Sequence, residues 1–371
     1  MNKPICLTLV FLILSSLIFA GCSKSESKKS NEIAKFTQTY FPTDKGIYYL
    51  DSQAYLKFFD YSSGKNVFLC NKPDCSHNDK KCYAYTTALL FSVYNDKIYI
   101  FDNDYKLTIK NTDGSNSSEV MTICKKINTA SDSYATPISC IATNNKLYVT
   151  YESKVLDSKT GTETNKTLLS SIDLDSKSEN IISEENNSQY NMLVSIDNNI
   201  YFSEYHSNTK DGSLYNINKT DCILNKLNLK NNKISTVYKD KQINFNIESC
   251  NNESIYFCKN NDLINNLYSM SLINPKPKKV KYRVLYDDKQ GNIIYDYSDH
   301  DYKIERNNKI SSLPFKDNIS AAFDNVANDG LVFFCTEGSI KGKNGKIKSD
   351  YMFYITKDDF YNGKSNYYKV G

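Results

Sequence analysis

Asn95-Asp96-Lys97-Ile98-Tyr99-Ile100-Phe101 decides the fold. Two turn formers lead into four consecutive apolar residues with no polar face, the pattern of a strand buried on both sides. A loose version of the same motif, an aliphatic followed by an aromatic after a polar turn, returns along the chain. It occurs at Ile47-Tyr48, Ile98-Tyr99, Leu147-Tyr148, Ile200-Tyr201, Ile255-Tyr256, Ile294-Tyr295 and Val332-Phe333, in steps of 51, 49, 53, 55, 39 and 38 residues. Turn formers precede most copies, as in Asn144-Asn145-Lys146, Asp197-Asn198-Asn199 and Asn328-Asp329-Gly330. A further strand follows most of them, at Tyr55–Asp60, Leu168–Asp173, Leu214–Ile217, Leu267–Ser271 and Tyr351–Ile355.

Such periodicity predicts an all-β fold, a β-propeller of about seven blades with four short antiparallel strands each. Inner propeller strands lie between neighbouring blades and read as unbroken apolar runs, as Gly330-Leu331-Val332-Phe333-Phe334 does. Outer strands alternate, as Lys226-Leu227-Asn228-Leu229-Lys230 does. The composition agrees: 30 Tyr and 18 Phe favour strands, and no helix is expected after residue 35. Glycine is modest at 13 for so many turns, but Asn accepts positive φ and occupies many of them. The short last two steps leave a pair of β-sandwiches, or six or eight blades, open. Phe36–Phe41 is positioned to add a strand to the last blade and close the ring.

The N-terminus carries targeting information. Lys3 begins a short n-region, Ile5–Ala20 is apolar, and Phe19-Ala20-Gly21-Cys22 ends the segment in small residues before a cysteine. Sixteen apolar residues fall short of a spanning helix. The pattern resembles the bacterial lipobox, which implies cleavage before Cys22 and a diacylglyceryl group on its sulfur, although Phe19 replaces the usual leucine. An ordinary secretory signal or an uncleaved anchor with a free Cys22 are the alternatives. Residues 1–21 are thus read as a lipoprotein signal peptide, 22–35 as the lipidated cysteine and a flexible Ser/Lys-rich tether, and 36–371 as the propeller-like domain. The expected location is the outer face of the cell membrane, held by the lipid.

Removing residues 1–21 takes away Lys3 and no acid, leaving a formal charge of +3. The only arginines are Arg283 and Arg306, and the lysines are scattered through Asn-rich turns as a solvated surface would have them. Nucleic acid is therefore excluded as a partner.

One local cluster stands out in FLCNKPDCSHNDKKCYAY, residues 68–85. Cys70, Cys75, His77 and Cys82 offer three thiolates and an imidazole, a complete tetrahedral set for one structural Zn²⁺. The spacing is not the common finger pattern. A disulfide between two of the cysteines, or free thiols in a reducing setting, compete with the metal reading. If Cys22 is acylated, nine cysteines remain in the mature chain, an odd number. Of the other six, Cys258 and Cys335 sit in apolar runs where a small buried hydrophobe is expected. Four protein ligands would leave no open position, so the metal would be structural.

Leu69-Cys70, Lys72-Pro73-Asp74-Cys75, His77 and Cys82 to Tyr85 resemble a segment of predicted surface lipoproteins of Firmicutes, especially clostridial anaerobes. Those proteins pair a lipobox with propeller-like repeats of unknown function. The resemblance implies no catalytic residues.

Catalytic signatures are sparse. There is no Gly-x-Ser-x-Gly, His-Glu-x-x-His or phosphate-binding loop. His206 and His300 read as turn residues, and the acid pairs Asp102/Asp104, Asp173/Asp175 and Asp299/Asp301 complete no calcium loop. The function expected is non-catalytic binding of an extracellular peptide, glycan or protein by a monomer. A surface carbohydrate-active hydrolase or lyase using acids on the propeller face is the alternative.

Overall fold

The computed structural model describes residues 34–35, 40–102, 106–115, 119–123, 133–156, 163–208, 220–240, 243–244, 250–251, 254–259, 262, 264–315, 320–327 and 329–371. The signal segment, Cys22 and residues 23–33 of the expected tether lie outside them, as do Asp104, Cys124 and the expected strand Leu214–Ile217, whereas Ala34–Lys35 at the end of that tether are described. The chain divides into two units, Met1–Glu32 and Ile33–Gly371.

The second unit is a seven-bladed β-propeller. Each blade is an antiparallel meander built from one continuous stretch of chain. Blade 1 holds Tyr40–Pro42, Gly46–Leu50, Leu56–Asp60 and Lys65–Phe68. Blade 2 holds Ala88–Tyr94, Lys97–Asp102, Lys106–Asn111 and Glu119–Thr122. Blade 3 holds Ser133–Thr143, Lys146–Leu156, Glu163–Asp173 and Glu179–Asn186, and blade 4 Ser188–Ile196, Asn199–Ser207, Thr220–Asn228 and Lys233–Asp240. Blade 5 holds Ile243–Asn244 and Cys250–Asn251, both paired with Ser254–Lys259, then Leu267–Ser271 and Lys278–Lys279, and blade 6 Arg283–Tyr286, Asn292–Asp296, Asp301–Arg306 and Lys309–Ser312. Blade 7 holds Ser320–Ala327, Gly330–Glu337, Met352–Thr356 and Tyr368–Val370, with the small hairpin Ser339–Gly342 and Gly345–Lys348 inserted after its second strand. Fourth strands such as Lys65–Phe68 and Lys309–Ser312 are largely exposed and form the outer rim, so the first strands face the inside of the ring.

All seven copies of the motif fall on the second strand of a blade, and the burial explains why it reads as it does. Along Ile98-Tyr99-Ile100-Phe101, Ile98 and Ile100 pack with blade 1, whereas Tyr99 and Phe101 pack with blade 3. Alternate side chains serve alternate neighbours, so no position is left for a polar residue. In blades 1 to 5 the aliphatic residue packs on the preceding blade and the aromatic on the following one. The motif is offset by one in blade 7, where Leu331, not Val332, holds the second position of the second strand and packs with blade 6, while Val332 packs with blade 1. Seven separate apolar clusters result, each joining two consecutive blades, and the one shared by Ile47 and Phe59 with Val332 and Tyr354 closes the ring.

Among the described residues no strand is exchanged at that closure. Tyr40 and Phe41 belong to the first strand of blade 1, paired with Tyr49 and Tyr48, so the expected closing strand is corrected there; residues 36–39 lie outside the description. Ala34–Lys35 instead pairs with Ala142 and Ile141, covering the free edge of the first strand of blade 3. The turns follow the expected chemistry. Asn95-Asp96, Asn144-Asn145 and Asn307-Asn308 have positive φ at both positions, the primed hairpin geometry, so asparagine does glycine's work. One helix, Lys357–Tyr361, departs from the all-strand expectation; it is capped by Thr356, whose Oγ1 accepts from Asp359 N at 3.1 Å, and five residues are too few to show a helical period.

Candidate metal centre

Residues 69–87 connect the outer strand of blade 1 to the inner strand of blade 2, and this connection carries the Cys/His cluster. Backbone hydrogen bonds fasten it on both sides. Leu56 N donates to Ala84 O at 2.8 Å and Thr86 N to Ala54 O at 2.9 Å on blade 1, while Asn71 N donates to Gly114 O at 3.1 Å on blade 2. Gly114, at φ 76°, is a required glycine: a Cβ there would lie 2.7 Å from Cys70 N. Asp74 and His77 also take positive φ, at 57° and 53°, which tightens the loop around its own sulfurs.

The result is convergence. The ligand atoms of Cys70, Cys75, His77 and Cys82 all lie within 4.8 Å of one another. Sulfurs around one tetrahedral zinc are about 3.8 Å apart, and sulfur and nitrogen about 3.6 Å; His77 Nδ1 stands 3.4 Å from Cys82 Sγ. No sulfur–sulfur bond joins the three cysteines. The imidazole is stacked on Phe68, with centroids 4.5 Å apart and planes 8° from parallel, which fixes the ring's direction. Tyr55, Phe68 and Ala84 wall the site with apolar surface.

The electrostatics of the sulfurs differ. Burial opposes ionisation of Cys70, but the N–H groups of Lys72 and Tyr83, with help from the Cys75 and Cys82 thiols, hold its pKa below the ordinary thiol value. Burial pushes Cys82 up to about 11, with the Cys70 and Cys75 sulfurs adding to the rise and the N–H of Ala84 acting against it.

Sequence reasoning missed Lys110. This residue lies on the third strand of blade 2, half-buried, and its ammonium donates to Tyr83 O at 2.9 Å and Tyr85 O at 3.4 Å. Burial lowers its pKa, while the Cys82 and Cys70 charges support the ammonium. Among the described residues it pairs with no carboxylate. Nothing in the local sequence distinguishes it from the other lysines.

The remaining candidates serve local structure. His206 Nδ1 lies 2.9 Å from Ser188 Oγ, and His300 is exposed in a turn at φ 53°. Asp173 accepts from the N–H of Asp175 and Ser176, Asp175 accepts from Asn145 Nδ2, and Asp102 accepts from Lys106 N. Asp299 pairs with Lys303, and Asp301 accepts from Tyr302 N. Cys140, Cys222, Cys258 and Cys335 are buried strand residues, as small hydrophobes would be. One acid departs from this pattern. Asp324, on the first strand of blade 7, faces Tyr40 of blade 1; burial pushes its carboxyl up to about 6 against the hydrogen bond from Tyr40, and its Oδ2 has no partner among the described residues.

No family model matches the chain, and no curated protein matches its sequence. Among solved structures it is similar to a prolyl endopeptidase, at 11% identity and a TM-score of 0.52, covering 96% of this chain and 53% of the other. An acylaminoacyl peptidase from Pyrococcus horikoshii matches at 10% identity and 0.43, over 91% and 46%. The WD40 domain of SCAP from fission yeast matches at 9% identity and 0.39, over 91% and 87%. The chain thus spans about half the length of the peptidases it matches, and the likeness is one of fold.

Proposed function

We propose that this chain is a lipoprotein tethered by Cys22 to the outer face of the cell membrane, whose propeller binds an extracellular peptide, glycan or protein without transforming it. The observation that carries this reading is the engagement of the acids. Catalytic carboxylates work in convergent pairs with pKa values pushed apart. Here Asp51, Asp60, Asp173, Asp262, Asp288 and Asp296 are each held below the ordinary carboxylate range, and each accepts hydrogen bonds from residues close by in its own chain segment. Such groups are ionised turn caps rather than proton shuttles.

Among the described residues, a hydrolase or lyase is favoured by Asp324 alone, whose raised pKa suits a general acid. The readings separate experimentally. Metabolic labelling with an alkyne-tagged fatty acid is expected to mark the full chain and to fail in Cys22→Ala. The detergent-solubilised chain, offered a panel of cell-surface glycans and extracellular peptides, is expected to retain a member unchanged. Turnover of any glycan that Asp324→Asn abolishes would replace binding with catalysis.

A further inference from the structure

We infer that Cys70, Cys75, His77 and Cys82 enclose one tetrahedral Zn²⁺, that the centre carries a net charge of −1, and that Lys110 neutralises it, so that the ion fastens blade 1 to blade 2. The four ligand atoms converge within 4.8 Å, and the ammonium of Lys110 is bonded to the loop that bears them. An ammonium drawn away from water needs an anion nearby, since two carbonyl contacts do not replace hydration of a full charge. Among the described residues no carboxylate supplies one, and the charges facing Lys110 are the sulfurs of Cys82 and Cys70. Both belong to the set of four ligand atoms that lie within 4.8 Å of one another, so thiolates bound to a metal there would supply that anion.

Thiolates crowded within 4.8 Å repel one another strongly unless a cation sits among them. Neutral thiols or a disulfide would leave the lysine uncompensated. Three thiolates and a neutral imidazole around a 2+ ion sum to −1, and the ammonium brings the assembly to zero. Backbone N–H groups of Lys72, Tyr83 and Ala84 aimed at the sulfurs complete the outer shell that metal thiolates require. The donor set selects the metal: soft sulfur with one imidazole in a closed four-ligand site suits zinc, whereas an iron–sulfur cluster draws on four cysteines or their equivalent.

The mechanical consequence follows from where the ligands and the lysine stand. The loop that bears the ligands is bonded to Ala54 and Leu56 on blade 1, and Lys110 and Gly114 belong to blade 2. Metal, loop and lysine therefore tie two blades whose sheets share no strand pairing.

The test uses the full chain purified without added chelator. Elemental analysis is expected to give one zinc per chain, and cobalt substituted for it to give a thiolate-to-cobalt charge-transfer band. Lys110→Met is expected to weaken zinc about 10- to 100-fold in competition with a chromophoric chelator, and Lys110→Arg to restore most of that loss. Chain isolated with no metal and with a Cys70–Cys75, Cys70–Cys82 or Cys75–Cys82 disulfide overturns the site. Unchanged affinity in Lys110→Met, with the cobalt band intact, overturns the role of the lysine. The test of the site needs no variant, because stoichiometry and thiol state are taken on the native chain, and the cobalt band of Lys110→Met together with the rescue by Lys110→Arg separates loss of the charge from loss of the fold.

Discussion

The two seams that flank blade 1 can be compared directly, because they hold the same four strands by different means. On the side of blade 7 the closure is made of packing, neutral hydrogen bonds and one buried carboxyl, Asp324, facing Tyr40. Tyr61 stacks on Tyr354 with centroids 4.4 Å apart, Phe59 lies against the same ring, and Asn66 acts as a clasp. Its Oδ1 accepts from Tyr49 OH at 3.0 Å and from Gly371 N at 3.2 Å, and its Nδ2 donates to Lys369 O at 3.5 Å. On the side of blade 2 the apolar cluster of Leu56, Leu69, Ile98 and Ile100 is supplemented by sulfurs, an imidazole and a half-buried ammonium. Among the described residues both seams close through side chains, and the cluster of metal-ligand groups stands at the seam with blade 2.

If the ion is what distinguishes the seams, removing it should give the largest effect. Cys82→Ser is expected to abolish stoichiometric zinc and to destabilise the domain by about 5 kcal/mol, roughly 10 °C in melting temperature, and chelation of the wild type should reproduce that shift. Calorimetry with and without chelator checks this. A Cys82→Ser melt that is unchanged, or that still responds to chelator, would remove the distinction.

Gly114→Ala should cost about 2–4 kcal/mol, because the new methyl meets Cys70 N and the backbone at φ 76° is strained for alanine. Urea unfolding measures it, and the loss should coincide with weaker zinc retention, since the displaced atom belongs to a ligand residue.

The opposite seam should respond to pH rather than to metal. Asp324 has a native pKa raised to about 6 from the ordinary 3.8, so the folded chain binds more protons than the unfolded one between those values. Its contribution is complete below about pH 4 and is lost as pH rises through about 6. Asp324→Asn is therefore expected to stabilise the domain at pH 7 by about 1–3 kcal/mol and to flatten its stability between pH 4 and 6. A destabilised Asp324→Asn at neutral pH would contradict the sign.

Asn66→Ala is the mildest. Its bonds lie near the surface, so a loss of about 1 kcal/mol is expected in urea, with no change in zinc content.

Much of the architecture was legible because propeller burial writes itself locally. Two-sided burial forces continuous apolar runs such as Ile98–Phe101, and primed turns force Asn or Asp at fixed places. The register is offset by one residue at Val332, where Leu331-Val332-Phe333 offers consecutive apolar residues and no polar marker of register. The four side chains of the candidate metal centre were legible too, being confined to 13 residues. Lys110 was not: its place beside the sulfurs depends on the packing of blade 2 against the loop, and a lysine in a charged chain gives no local sign of burial. Asn66 and Gly371 are 305 positions apart, and Asp324 and Tyr40 lie on the first strands of the last and first blades, so only closure of the ring brings either pair together.

The most direct test of the fastened seam is zinc K-edge X-ray absorption on the native chain. Three sulfurs at about 2.3 Å and one nitrogen at about 2.0–2.1 Å are predicted. A shell of oxygen and nitrogen alone, or a chain without zinc whose cysteines are oxidised, would contradict it.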